Sequence, residues 1–241
     1  MIPQKPPSAA FDDFSALMDT LLGENGCPWD REQTHESLRR HLLEEAYETV
    51  EAINQNDMPS LCEELGDVFL QVMFHAKLAE KSGEFTIDDV ITAVTNKLVS
   101  RHTHIFGTEV AENAEDVIKV WERNKEKERS GKGENTLNSV PKALPSLMRA
   151  EKVLKRAGET LPNARAVADD ITIRLQNMFN HDNNVMLSDN VGWVLFLMVK
   201  LALILKVNPE FALTNVTEAF INTNSPENPA VGGYILKEDT E

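Results

Sequence analysis

Basic side chains are in short supply in this chain. Its 241 residues carry 24 lysines and arginines against 39 aspartates and glutamates, a formal net charge of −15 at pH 7. So anionic a polypeptide is repelled by nucleic acid backbones and by anionic membranes. Neither is expected as a partner, although a local pair of cations can still grip a phosphate. Cysteine is scarcer still, with only Cys27 and Cys62. They form no CxxC and no disulfide ladder, so a reduced, cytoplasmic protein is the simplest reading. Residues 1–10 hold three prolines but neither a basic n-region nor an apolar core, so they read as a loose tail rather than a signal peptide. Long hydrophobic runs are also missing. The longest, 191–207, is interrupted by Lys200 and Lys206 and is expected to be a buried helix rather than a membrane span.

What the chain does have is carboxylate in a pattern. Residues 42–48 read Leu-Leu-Glu-Glu-Ala-Tyr-Glu, and residues 63–67 read Glu-Glu-Leu-Gly-Asp. Both segments have helical periodicity, and each offers acids three apart: Glu45 with Glu48, and Glu64 with Asp67. Residues at i and i+3 are neighbours on one helix face, so two such helices side by side converge four carboxylates. Four acids together repel one another unless a cation sits between them, and hard oxygen donors suit Mg²⁺ or Mn²⁺. The second helix is apolar on nearly every side, which marks a helix buried in a bundle. Glu64, Asp67, Gln71 and His75 form its polar stripe. On the first helix Leu38, Leu42, Ala46, Val50 and Ile53 form the apolar stripe, with Glu45 at its edge. Pattern alone leaves two readings open, a metal site and a salt-bridged structural face.

Around this centre the periodicity predicts further helices over 11–22, 87–99, 115–129 and 147–157. Residues 23–30, rich in Gly, Asn and Pro, read as a loop whose Trp29 either plugs the core or stacks on a ligand base. Thr34 is a candidate N-cap. The short turn at 54–59 makes the two acidic helices antiparallel neighbours. Lys97 and Arg101 share a helix face and can offer two cations to phosphates. The His102-x-His104 pair that follows reads as a solvated helix cap. Trp121 and Lys125, four apart in a highly charged helix, mark a contact surface. Residues 130–145 read as a linker.

The chain also repeats itself. Residues 61–68 align with 187–194 at an offset of 126, and the apolar pattern continues to Leu78 and Ile204. At that offset the polar stripe becomes Asn190, Trp193, Leu197 and Leu201. Upstream, residues 165–180 keep only the adjacent acids Asp169 and Asp170, with Ile173 where a third carboxylate is due. Opposite Lys97 stands Ala219 or Thr223. The helix pattern is copied and the acids are not, which favours metal binding in the first copy and a structural role for the second.

At these residues the chain resembles the MazG family of nucleoside triphosphate pyrophosphohydrolases, closely over residues 14–157 and weakly beyond. The likeness rests on Gly26-Cys27-Pro28-Trp29-Asp30, Glu44-Glu45-x-x-Glu48, Glu64-x-x-Asp67, Arg101-His102-x-His104-x-Phe106, Trp121-Glu122-x-x-Lys125 and Leu147-Met148-Arg149-Ala150. It implies an all-α fold of two tandem MazG-like helical bundle repeats, the second degenerate. The expected layout is a catalytic helical domain over 1–130, a linker over 131–145, the degenerate repeat over 146–225 and a polar tail over 226–241. It implies metal-dependent hydrolysis of an NTP to NMP and pyrophosphate, with Mg²⁺ (or Mn²⁺) on Glu45, Glu48, Glu64 and Asp67. Lys97, Arg101, Trp121 and Lys125 then surround the nucleotide, Glu44 and Glu63 orient the attacking water, and the chain forms a homodimer or higher homo-oligomer. The alternative is a weakly active or non-catalytic nucleotide-binding regulatory protein. A di-iron bundle is disfavoured, because neither acidic pair is followed by the Glu-x-x-His spacing such centres use.

Overall fold

The computed structural model describes residues 9–131, 137–158, 163–178 and 184–224, and these contain eleven α-helices and no strand. The protein is all-α. The chain divides into two compact units, residues 1–125 and 126–241.

The first unit is built on a long helix hairpin. Helix α1 (Ala9–Leu22) leads through a loop and the short α2 (Pro28–Arg31) into α3 (His35–Gln55), and α4 (Met58–Ser82) returns beside it. Helices α5 (Ile87–Arg101), α6 (Thr103–Phe106) and α7 (Ala114–Gly131) follow. The hairpin is pinned by local chemistry at each turn. The Thr34 side chain accepts from the Ser37 amide and Ser37 returns a bond to the Thr34 amide, a capping box that fixes where α3 begins. Asn56 ends α3 in the left-handed conformation at φ 55°, and Asp57 caps α4 by accepting from the Ser60 amide. The connection is therefore tighter than the 54–59 turn read from the sequence. Thr86 and Asp89 form a second capping box at the start of α5.

Met18, Leu38, Met73, Phe74, Ala76 and Ile87 make the core of this unit, so α1, α3 and α5 close on the C-terminal half of α4. The N-terminal half is more open, and Leu65 there is 53% exposed. This corrects two expectations. Helix α4 is not covered on every side, and on α3 Leu42, Ala46 and Ile53 are exposed while Leu38 and Ala52 are buried. The periodicity marks which residues are apolar, but only three helices of the unit pack on α4. Pro28 to Asp30 is likewise a helical turn rather than plain loop, because Pro at the first helical position supplies the right φ and lacks no needed N–H.

The second unit contains a 3-10 turn (Leu137–Ser139), then α8 (Ser146–Ala157), α9 (Ala164–Met178), α10 (Asn184–Ile204) and α11 (Pro209–Asn224). Part of the expected linker is thus packed: Val140 is 1% exposed, and Ser139 Oγ accepts from Arg156 Nη1 at 2.5 Å. Residues 132–136 and the expected tail lie outside the described residues. Val167, Ile171 and Leu197 form the core. The expectation of a buried helix for 191–207 is corrected: within 187–204 only Leu197 and Val199 are buried. By length and composition 187–204 also meets the criterion for a bilayer span, at mean hydropathy 1.6. Helix α10 nonetheless packs on α8, α9 and α11, and its remaining apolar faces lie uncovered within the unit.

The repetition is visible in the packing. Helices α1, α3 and α5 pack on α4 as α8, α9 and α11 pack on α10. In each unit one long helix has three others packed on it.

Candidate functional site

The antiparallel run of α3 and α4 decides what Glu45, Glu48, Glu64 and Asp67 can do. One carboxylate oxygen each from Glu45, Glu48 and Glu64 lies within 4.8 Å of the others. Asp67, one turn further along α4, adds its field to the group. The Glu45 carboxyl is held above its ordinary pKa by partial burial, by a hydrogen bond with Glu48, and by repulsion from Asp67, Glu48 and Glu64. That of Glu64 is raised by desolvation and by the charges of Glu48, Asp67 and Glu63. Among the described residues no lysine or arginine forms an ion pair with any of the four. A salt-bridged face would show those partners, and the mutual repulsion would then be absent. Converging carboxylates without a basic partner, with Glu45 and Glu64 held above their ordinary pKa, are the donor set that a hard divalent cation satisfies.

The two other acids, Glu44 and Glu63, adjoin Glu45 and Glu64 in the chain. Glu44 faces Arg40 Nε at 3.8 Å and His41 Nδ1 at 3.6 Å. Glu63 is exposed and acts on the cluster through its charge on Glu64. Along the polar stripe, Gln71 is buried with its Oε1 unpartnered, and His75 meets His35, Nδ1 to Nδ1 at 2.8 Å. That pairing of imidazoles across the hairpin was not anticipated; His35 sits forty residues away, and no local spacing signals it.

A second group forms on α5, α6 and α7. The Arg101 guanidinium lies 5.3 Å over the Trp121 ring, and the His102 ring meets the same indole edge-on at 4.8 Å. Lys125 is half-buried and bonds to both carboxylate oxygens of Glu122, at 2.8 and 3.0 Å. Lys97 is exposed. The histidines are more than a solvated cap: His102 Nδ1 donates to Leu98 O at 2.7 Å while the ring packs on Trp121, and His104 Nδ1 is buried without a partner. Trp29 does not plug the core; it is 55% exposed and meets His41 edge-on.

Sequence reasoning missed the clasp that holds this group together. Asn124 is 8% exposed. Its Nδ2 donates to Thr103 Oγ1 at 2.9 Å and to Arg101 O at 3.4 Å. Thr103 in turn donates to Glu109, which pairs with Arg123. The available signal was Asn124 four residues after Val120, a polar residue on the apolar stripe of a charged helix.

Comparison with known proteins places these features in a family. A profile of the MazG nucleotide pyrophosphohydrolase domain matches residues 33–106, which span α3, α4 and α5. The nucleoside triphosphate pyrophosphohydrolase/pyrophosphatase MazG of Thermotoga maritima is 35% identical over 220 residues, covering 90% of this chain and 85% of that protein. The nucleoside triphosphate pyrophosphohydrolase of Escherichia coli K12 is 36% identical over 219 residues, 87% of this chain and 83% of its own length. The uncharacterized protein YabN of Bacillus subtilis is 38% identical over 219 residues, 87% of this chain, but the chain spans only 44% of YabN.

Proposed function

This chain belongs to the MazG nucleotide pyrophosphohydrolase family, and from that premise we propose that it hydrolyses nucleoside triphosphates to nucleoside monophosphate and pyrophosphate with a divalent cation held by Glu45, Glu48, Glu64 and Asp67. The observation that carries the reading is the convergence of Glu45, Glu48 and Glu64, with Glu45 and Glu64 raised in proton affinity and no basic partner among the described residues. Held by these residues, Mg²⁺ (or Mn²⁺) would supply charge neutralisation for the triphosphate and Lewis-acid activation of water.

The chain's own residues supply positioning and charge stabilisation, which account for most catalysis of phosphoryl transfer. Arg101, Lys97 and Lys125 take the negative charge that develops on the phosphates. Trp121, held between Arg101 and His102, offers the nucleotide an aromatic surface. Glu63, exposed beside Glu64, and Glu44, oriented by His41 and Arg40, are the acids that position the attacking water. A chain of net charge −15 repels a free polyanion, so the acid site attracts its substrate only with the cation in place. The exposed apolar residues of α4, Met58 and Leu65 among them, support assembly into a homodimer. Two free cysteines support a reducing, cytoplasmic setting.

The test is to incubate the purified chain with a panel of NTPs and Mg²⁺ and to quantify pyrophosphate and NMP. Equimolar release of the two, lost in EDTA and in Glu64→Gln with helical content unchanged, is expected. Tight NTP binding without pyrophosphate release would make the chain a nucleotide-binding regulatory protein instead.

A further inference from the structure

The second unit has lost its acids, and what replaced them has a chemistry of its own. Carried through α9 and α10, the offset of 126 sets Ile171, Arg174, Asn190 and Trp193 where the first unit has Glu45, Glu48, Glu64 and Asp67. The packing supports this register over the one that put Ile173 opposite Glu48. Ile171 is buried in the core of the second unit, whereas Ile173 is exposed. Arg174 reaches across to α10, with its guanidinium 5.1 Å from the Trp193 ring centre. The contact between the two helices has been kept and its character inverted, from carboxylates that hold a cation to a cation lying on an indole.

This pair is not fully occupied by its neighbours. Trp193 is 52% exposed, with Phe196 meeting it edge-on at 5.8 Å. Asp170 Oδ1 is 3.3 Å from Arg174 Nε, within ion-pair distance, yet the buried Nε has no aligned hydrogen-bond partner. Asp170 lies on the buried Nε side, while 31% of the Arg174 side chain stays open to solvent. An exposed indole beside a partly exposed guanidinium suits one ligand class, a flat ring carrying an anionic group. Bases stack on exposed aromatics regardless of identity, and a guanidinium matches a phosphate in shape and charge. With no carboxylate cluster at this seam, no metal is needed to bring the anion in.

We propose that the α9–α10 seam of the second unit binds a nucleotide in metal-free form, its base on Trp193 and its phosphate on Arg174. The site is separate from the acid cluster and stands whether or not that cluster hydrolyses NTPs. In a chain that turns over nucleotides, such a site senses their level where the first unit consumes them.

The experiment is isothermal titration of the full chain in EDTA with AMP, GMP, CMP, UMP and ATP, with adenosine and inorganic phosphate as controls for the base and the anion alone. Saturable binding of nucleotides, at least about 10-fold tighter than either control, is expected, since the two contacts act together on one ligand. Trp193→Leu and Arg174→Gln should each weaken it about 10-fold, whereas Arg101→Gln should leave it unchanged. Asp170→Asn, which keeps the guanidinium and removes its anionic neighbour, should tighten it and guards against misreading an unfolded Arg174 variant. Absence of metal-free binding, binding no tighter than phosphate alone, loss in Arg101→Gln alone, or no gain in Asp170→Asn would overturn the proposal. Pyrophosphate release with Mg²⁺, measured on the same preparations, reports on the acid site independently.

Discussion

A single buried amide sets the geometry of the cationic group. Asn124 is the point where α7 is bonded to the end of α5 and the start of α6, through Arg101 O and Thr103 Oγ1. Replacing it with leucine keeps the volume and burial but removes both donated bonds, so Arg101 and Trp121 lose their fixed alignment. Asn124→Leu is expected to lower kcat/KM for NTP about 5- to 20-fold, the size of one or two lost hydrogen bonds, with helical content nearly unchanged. Steady-state kinetics beside circular dichroism checks this, and an unchanged kcat/KM in the folded variant would contradict it. The His35–His75 contact makes a second prediction. Two ring nitrogens 2.8 Å apart share one proton, so at least one imidazole is neutral. Burial, then the facing His35, lowers the His75 pKa. Below pH 6.5 the unfolded chain therefore takes up protons that the folded chain refuses. The stabilising contribution is complete above that pH and is lost as pH falls through the depressed folded value. Thermal midpoints between pH 7.5 and 5 should fall more steeply for the wild type than for His75→Gln. At this scale the four acids were legible because i, i+3 spacing is local. Asn124 with Thr103, and His35 with His75, were not, because their partners lie 21 and 40 residues away.

The helix hairpin turns on two residues. Asn56 occupies the left-handed region that asparagine tolerates and a β-branched residue does not. Asn56→Val is expected to destabilise the chain by about 1–2 kcal/mol, while Asn56→Gly changes it by less, as chemical denaturation will read. The sequence revealed the helices well, since apolar periodicity, Thr34 and Asp57 are all local signals. It revealed poorly which faces are covered. Leu42, Leu65 and Val191 carry the same hydrophobic mark as Leu38, Met73 and Leu197, yet only the latter three are buried. Burial depends on how many helices reach the face, and periodicity carries no count of them. The turn at Pro28 escaped for a related reason, because a proline at the first helical position and a proline in a loop look alike in sequence.

Seen whole, the molecule carries one arrangement twice with two opposite chemistries. One long helix packed by three others occurs in each unit, and the same seam holds carboxylates in the first and an Arg–Trp contact in the second. The acids of the first unit hold charge that the fold leaves unneutralised, so a divalent cation that binds only the folded chain stabilises it by mass action. Mg²⁺ is expected to raise the thermal midpoint of the wild type above that seen with NaCl of equal ionic strength, and to do so less in Asp67→Asn. The most direct measurement is titration of Mn²⁺ into the full chain, with the free ion followed by electron paramagnetic resonance. The account predicts saturable binding in the wild type, loss of that binding in Glu64→Gln, and none lost in Asn190→Ala, its counterpart in the second unit. Undiminished Mn²⁺ binding by a folded Glu64→Gln chain would contradict it.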